Sequence, residues 1–206
     1  MKKLLLILLC VPLIGFGQQT YVPDDNFEDY LESNGMGNGV LNDNYVTTAN
    51  INTVTSLDIS SMSWNSLNIT DLTGIEDFIS LEHLWCGYAG LTSLDVSQNT
   101  ALTYLDCYDD MEQLANLDIG QNTALTYLVL GSTLLTSLDV SGATSLDTLS
   151  LGANNFLTSL DLSNNTSLTF LSVGSCYQLT NLDVSANTAL TTLTCSNNTS
   201  LTSLDV

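Results

Sequence analysis

From Leu57 onward, apolar residues recur in a short phrase about eleven residues long, and two phrases make one longer unit. Leu-Asp pairs fall at Leu94, Leu117, Leu138, Leu160, Leu182 and Leu204, in steps of 23, 21, 22, 22 and 22. Between them runs a second series, Leu84, Leu105, Leu128, Leu149, Leu171 and Leu193, followed two residues on by Cys86, Cys107, Leu130, Leu151, Val173 and Cys195. Both phrases read L-x-x-L-x-L, and strand alternation turns the fourth and sixth residues to one side while the residues between them point out. One phrase cannot bury its own leucines, so the units must stack into a shared core. The pattern predicts a mainly β solenoid of about seven coils with a parallel sheet, its core roughly 34 Å long at the usual strand spacing. Neither phrase has a helical period. No helix is therefore expected beyond the N-terminal region, the second face should be extended or weakly stranded, and the curvature should be weak.

The first 50 or so residues break this period. Lys2 and Lys3, an apolar run over 4–14 and Gly15-Phe16-Gly17 read as a secretory signal over 1–17. Residues 18–53 are expected to form an N-terminal cap with one short helix. Pro23 to Asn26 supply capping residues, Glu28 follows Asp25 at capping-box distance, Phe27, Tyr30 and Leu31 share a face, and Gly35 ends the helix. A calcium loop in NGMGNGVLND is disfavoured, because Met36 stands where an oxygen ligand belongs and no Glu follows at the twelfth place. The repeat domain spans 54–206, with a longer segment over 60–68, containing Trp64, expected to bulge. The chain stops inside a half-repeat at Leu204-Asp205-Val206, which reads as truncation.

The stretch ITDLTGIEDFISLEHLWC over 69–86 resembles the internalin type of bacterial leucine-rich repeat. The remainder resembles the bacterial IRREKO subclass, LxxLxCxxNxLxxLDLxxNxx, in six registered copies. Asn99, Asn122, Asn154, Asn165, Asn187 and Asn198 keep the expected asparagine, whereas Ala89, Asp110, Thr133, Ala143 and Cys176 replace it. These asparagines fall where the backbone turns, so a buried ladder satisfying main-chain groups is the expected role. The resemblance implies a lost C-terminal sorting or anchoring region. The corresponding function is a secreted or cell-surface module that presents its sheet to a protein or glycan.

Charge narrows the partners. Lys2 and Lys3 are the only basic residues beside 22 acidic ones, for a net charge of −20. Nucleic acid, anionic membranes and phosphorylated ligands all need cationic groups that this chain lacks; cations are what it attracts. Past Cys10, four cysteines remain, and Cys86, Cys107 and Cys195 take the inward apolar place, where Cys acts as a small hydrophobe. Buried free thiols are expected, with Cys86 and Cys107 close yet reduced.

No nucleophile–base pair or metal cluster marks an enzyme, and His83 reads as an exposed strand residue. The enzymatic alternative is a carbohydrate-active enzyme on a β-solenoid, which a pocket with two convergent carboxylates would favour. No cofactor is expected. The column Asp95, Asp118, Asp139, Asp161 and Asp183, continued by Asp205, places one carboxylate per coil on one line. Neighbours about 4.8 Å apart repel by about 1 kcal/mol in water and about 3 at an effective dielectric of 20. Hydrogen bonds from neighbouring turns could offset this, and so could bridging calcium. The recurrent threonines are explained by strand propensity. The outward positions of the first coils carry His83, Trp85, Tyr104, Asp106 and Tyr127, with Tyr88, Tyr108 and Asp109 just beyond the strands. These eight residues form the candidate ligand face.

Overall fold

A computed structural model describes residues 17–60, 68–108 and 113–206. The signal segment up to residue 16, most of the expected 60–68 bulge with Trp64, and Asp109 lie outside the described residues.

The N-terminal region folds as β1 (Gln19–Tyr21), α1 (Asp25–Ser33), β2 (Tyr45–Thr47) and α2 (Thr48–Ile51), with β1 and β2 paired antiparallel. Helix α1 starts at Asp24, whose Oδ1 accepts from the N–H groups of Asn26 and Phe27 at 3.0 Å each. It ends in a Schellman turn. Gly35, at φ 74°, donates to the Glu32 carbonyl, and Met36 donates to the Leu31 carbonyl. Starting the helix at Asp24 puts Phe27, not Glu28, at the third helical position, so the capping-box role expected of Glu28 is not made. Glu28 is buried instead, and its carboxylate accepts from the N–H groups of Asp43 and Asn44 at 3.1 and 3.0 Å. Burial holds its carboxyl above the usual range. The short helix α2, anchored by buried Ile51, was not separable in the sequence from the segment around it.

The chain then alternates between two faces. It runs through β3 (Ser56–Asp58), β4 (His83–Trp85), β5 (Ser93–Asp95), β6 (Tyr104–Cys107), β7 (Asn116–Asp118), β8 (Tyr127–Leu130), β9 (Ser137–Leu138) and β10 (Thr148–Ser150). It continues through β11 (Ser159–Leu160), β12 (Phe170–Ser172), β13 (Asn181–Asp183), β14 (Thr192–Thr194) and β15 (Ser203–Asp205). Strands β3, β4, β6, β8, β10, β12 and β14 form one parallel seven-stranded sheet. Among the described residues, the opposite face holds only the two-stranded pairs β5–β7, β9–β11 and β13–β15, which is the weakly stranded second face the repeats predict. One 3-10 turn, Ile75–Asp77, corrects the expectation of no helix past the N-terminal region. It arises where apolar spacing of three, as in Leu72, Ile75 and Phe78, interrupts the strand alternation.

Registered stacking gives the core. Leu57, Leu84, Leu105, Leu128, Leu149 and Leu171 pair in series along the sheet and are buried. The asparagine ladder lies beneath the turns: the Asn122 side-chain amide donates to the carbonyls of Val96 and Asn99, and that of Asn165 to those of Val140 and Ala143. At two places where asparagine is replaced, a side-chain hydrogen bond remains: Thr133 hydrogen-bonds Asn154, and the Cys176 thiol donates to the Leu151 carbonyl. Threonines tie coil to coil, with Oγ1 of Thr103, Thr126 and Thr191 each donating to a main-chain carbonyl one coil back. Coils approach closely at one turn, where a Cβ on Gly142 would meet the Gly120 carbonyl oxygen at 2.2 Å.

The thiol expectation is corrected. Cys86 and Cys107 are joined as a disulfide, with Cα atoms 4.8 Å apart. The same registered stacking that makes them hydrophobic neighbours brings their Cα atoms within disulfide range. Cys176 and Cys195 are free, the first buried and the second half-buried.

Candidate binding face

Period-two alternation in β4, β6 and β8 buries Leu84, Leu105 and Leu128 and leaves the flanking side chains on the outer face. The parallel register then aligns them across strands. His83 pairs with Tyr104 and Tyr104 with Tyr127; in the second row, Trp85 pairs with Asp106 and Asp106 with Val129. A continuous cluster of rings results. His83 stacks on Trp85 with centroids 5.8 Å apart, Trp85 meets Tyr104 at 5.1 Å and 41°, and Tyr104 lies flat against Tyr127 at 4.4 Å and 4°. All four side chains are half-buried. His83, expected as an exposed strand residue, is therefore a member of the cluster. Val129 is 7% exposed yet lies outside the main core, so the outer face has covered ground of its own.

Polar groups border the rings. The Tyr104 hydroxyl donates to Asp106 Oδ2 at 3.2 Å, and Asp106 Oδ1 accepts from the Tyr108 N–H at 3.0 Å. Desolvation first, and the Asp106 charge second, push the Tyr104 hydroxyl up to about 12, so it stays a donor throughout the physiological range. Tyr88 and Tyr108 are exposed, at 43% and 49%, and follow β4 and β6. Tyr88 adopts the left-handed backbone at φ 60°. Sequence reasoning passed over Asp58, because the Ser-Leu-Asp phrase around Leu57 looks like the Leu-Asp series that runs through Leu94. Register assigns it to the series of Leu84 instead: β3 pairs with β4, and Asp58 stands beside Trp85.

The Asp column lies on the other face, and each carboxylate is occupied locally. Asp95, Asp118, Asp139, Asp161 and Asp183 each accept a main-chain N–H two residues on, all at 2.9 Å. Hydrogen bonds from Ser141, Ser163 and Ser185 hold Asp139, Asp161 and Asp183 below the usual carboxyl range. Asp95, Asp118 and Asp139 line a shallow groove of about 530 Å³. Among the described residues, no three His, Cys, Asp or Glu side chains converge to hold a metal ion.

No family model matches the chain, and no curated protein does. Solved structures do. An internalin (inlF) from Listeria monocytogenes overlays with a TM-score of 0.60 at 23% identity, covering 90% of this chain and 63% of that one. Internalin C2 (inlC2) from the same organism overlays at 0.56 with 17% identity, covering 91% of this chain and 98% of its own. This is an internalin-like leucine-rich repeat fold. The functional domain of InlJ from Listeria monocytogenes, described as including a cysteine ladder, is 28% identical over 92% of this chain and 61% of that domain, at a TM-score of 0.41. The chain thus spans less than two thirds of both inlF and that InlJ domain. In the internalin-like frame, the long sheet carries His83, Trp85, Tyr104, Asp106 and Tyr127, with Tyr88 and Tyr108 just past its strands. The Asp column belongs to the interrupted pairs behind it.

Proposed function

We propose that this chain is a non-catalytic recognition module, secreted or held at the cell surface, that takes a protein or glycan partner on the outer face of its seven-stranded sheet. Residues 18–53 close the N-terminal end of its repeat array. The observation that carries this reading is the ring cluster of His83, Trp85, Tyr104 and Tyr127 on one open face. Aromatic side chains are what interface centres enrich, and water is a poor neighbour for them. Export rests on the Lys2-Lys3 start and the apolar run over 4–14. Among the described residues, no helix is long and apolar enough to cross a membrane.

The competing role of the rings is to brace neighbouring strands, worth a few tenths to about 1 kcal/mol per pair. One variant separates the two. Screening the chain against a defined glycan array and a panel of purified extracellular proteins supplies a ligand. The double variant Trp85→Ala, Tyr104→Ala should then keep its fold by circular dichroism and bind that ligand at least tenfold more weakly. A folded double variant that binds as the parent does would place the ligand elsewhere.

A further inference from the structure

We propose that the face recognises a cationic polypeptide segment, an Arg- or Lys-bearing stretch of another protein, whose charged group lies over the Trp85 indole between Asp58 and Asp106. The inference rests on the sheet face being the recognition surface, and adds the chemistry that the surface selects.

Register places the three residues in one row. Asp58 pairs with Trp85 across β3 and β4, and Trp85 with Asp106 across β4 and β6. At the usual strand spacing, the backbones of the two aspartates stand about 5 Å to either side of that of Trp85. Among the described residues, neither carboxylate is consumed by the fold. Asp58 is exposed, and its Oδ1 accepts from the Ser60 N–H and hydroxyl. Asp106 takes one N–H and one hydroxyl. A carboxylate has about four acceptor sites, so both retain capacity for an incoming donor.

What the face lacks identifies the partner. Beyond Lys2 and Lys3 the chain has no Lys or Arg, so no side-chain cation within 17–206 except His83 can neutralise these carboxylates. Covering them with a neutral sugar would desolvate two anions without a counter-charge. An acidic glycan, a nucleic acid or an anionic membrane would add repulsion. A guanidinium or ammonium group instead neutralises both while resting on tryptophan, the ring that attracts cations best. Guanidinium adds planar stacking and two-pronged pairing with a carboxylate, so Arg should be preferred to Lys. At long range, the net charge of −20 steers a basic segment toward the molecule.

The chain has two tryptophans, and the substitution Trp64→Phe leaves Trp85 as the sole tryptophan, excited selectively beyond the tyrosine band. In that background, hexa-arginine, hexa-lysine and chitohexaose are titrated at 0.15 M salt. Hexa-arginine should change Trp85 emission saturably and more tightly than hexa-lysine. By calorimetry, Trp85→Ala and the pair Asp58→Asn, Asp106→Asn should each weaken hexa-arginine at least tenfold. The pair Asp161→Asn, Asp183→Asn, removing equal charge from the opposite face, should weaken it less than threefold. Equal losses from the two pairs would mean diffuse attraction and overturn the site. Saturable binding of chitohexaose through Trp85 with no response to either peptide would overturn the cationic partner while leaving the recognition face standing. Silence of Trp85 toward all three probes would count against both.

Discussion

The asparagines of the second-face turns use only half of their hydrogen-bonding capacity. Asn165 donates twice, at 3.0 and 2.8 Å, while its Oδ1 is buried with no partner, as are those of Asn99, Asn122 and Asn187. Removing the amide deletes two donors but also an unsatisfied acceptor, so the effects partly cancel. Asn165→Ala should lower stability by about 2 kcal/mol. Asn165→Asp is isosteric, yet it sets a buried carboxylate against two carbonyl oxygens and should cost more, about 3–5 kcal/mol. Urea unfolding of both variants checks the order. If Asp proved the milder change, these residues would not be acting as donors.

At the scale of elements, helix α1 is fastened to the first coils through its N-cap and two of its rings. Asp24 caps the helix through Oδ1 while its Oδ2 accepts from the Thr70 N–H and hydroxyl and the Asp71 N–H. Phe27 packs on Phe78, and the Tyr30 hydroxyl donates to the Asp58 carbonyl at 2.7 Å. Asp24→Ala should therefore cost more than an ordinary cap, about 2–3 kcal/mol. Hydrogen exchange should show the loss concentrated in α1 and around Thr70; uniform loss along the array would deny the local tie. The disulfide acts between successive coils. Peptide mapping without reduction should recover Cys86 linked to Cys107, with Cys176 alkylated only on unfolding, since burial raises its thiol pKa. Closing a loop of about 21 residues is worth roughly 3 kcal/mol, so the Cys86→Ala, Cys107→Ala variant should melt about 6–12 °C lower.

For the molecule as a whole, electrostatics sets the pH response. Glu28 has a raised folded pKa: its stabilising contribution is complete below the ordinary value of 4.5 and is lost as pH rises through the folded value. Asp139, Asp161 and Asp183 are depressed: their contribution is complete above the ordinary 3.8 and is lost as pH falls through the folded values. Mutual repulsion among 22 acidic residues also fades as they protonate. Stability should thus peak between about pH 4 and 5. The melting temperature at pH 4.5 should exceed that at pH 7.5 in low salt by several degrees, and about 0.5 M sodium chloride should narrow the gap. A melting temperature that rises steadily from pH 4.5 to 7.5 would contradict this account. Comparing sodium and calcium at matched ionic strength tests the Asp column. Equal melting temperatures leave screening alone at work.

Local periodicity determined most of this fold, because a repeat that must bury its leucines in a stack admits few other solutions. The inward series through Leu84 and Leu105, the outward rings at Trp85, Tyr104 and Tyr127, and the asparagine places could all be read from spacing. So could the weak second face, since neither phrase carries a helical period. What spacing could not decide was pairing between distant segments. Tertiary structure assigned the phrase around Leu57 to the long sheet, and so put Asp58 beside Trp85. It drew Glu28 inward to the Asp43 and Asn44 amides and away from its own helix start. It joined Cys86 to Cys107, where their inward place in the repeat favoured two small hydrophobes. In each case the deciding quantity was a distance between residues far apart in the chain, which stacking fixes and one-dimensional order does not.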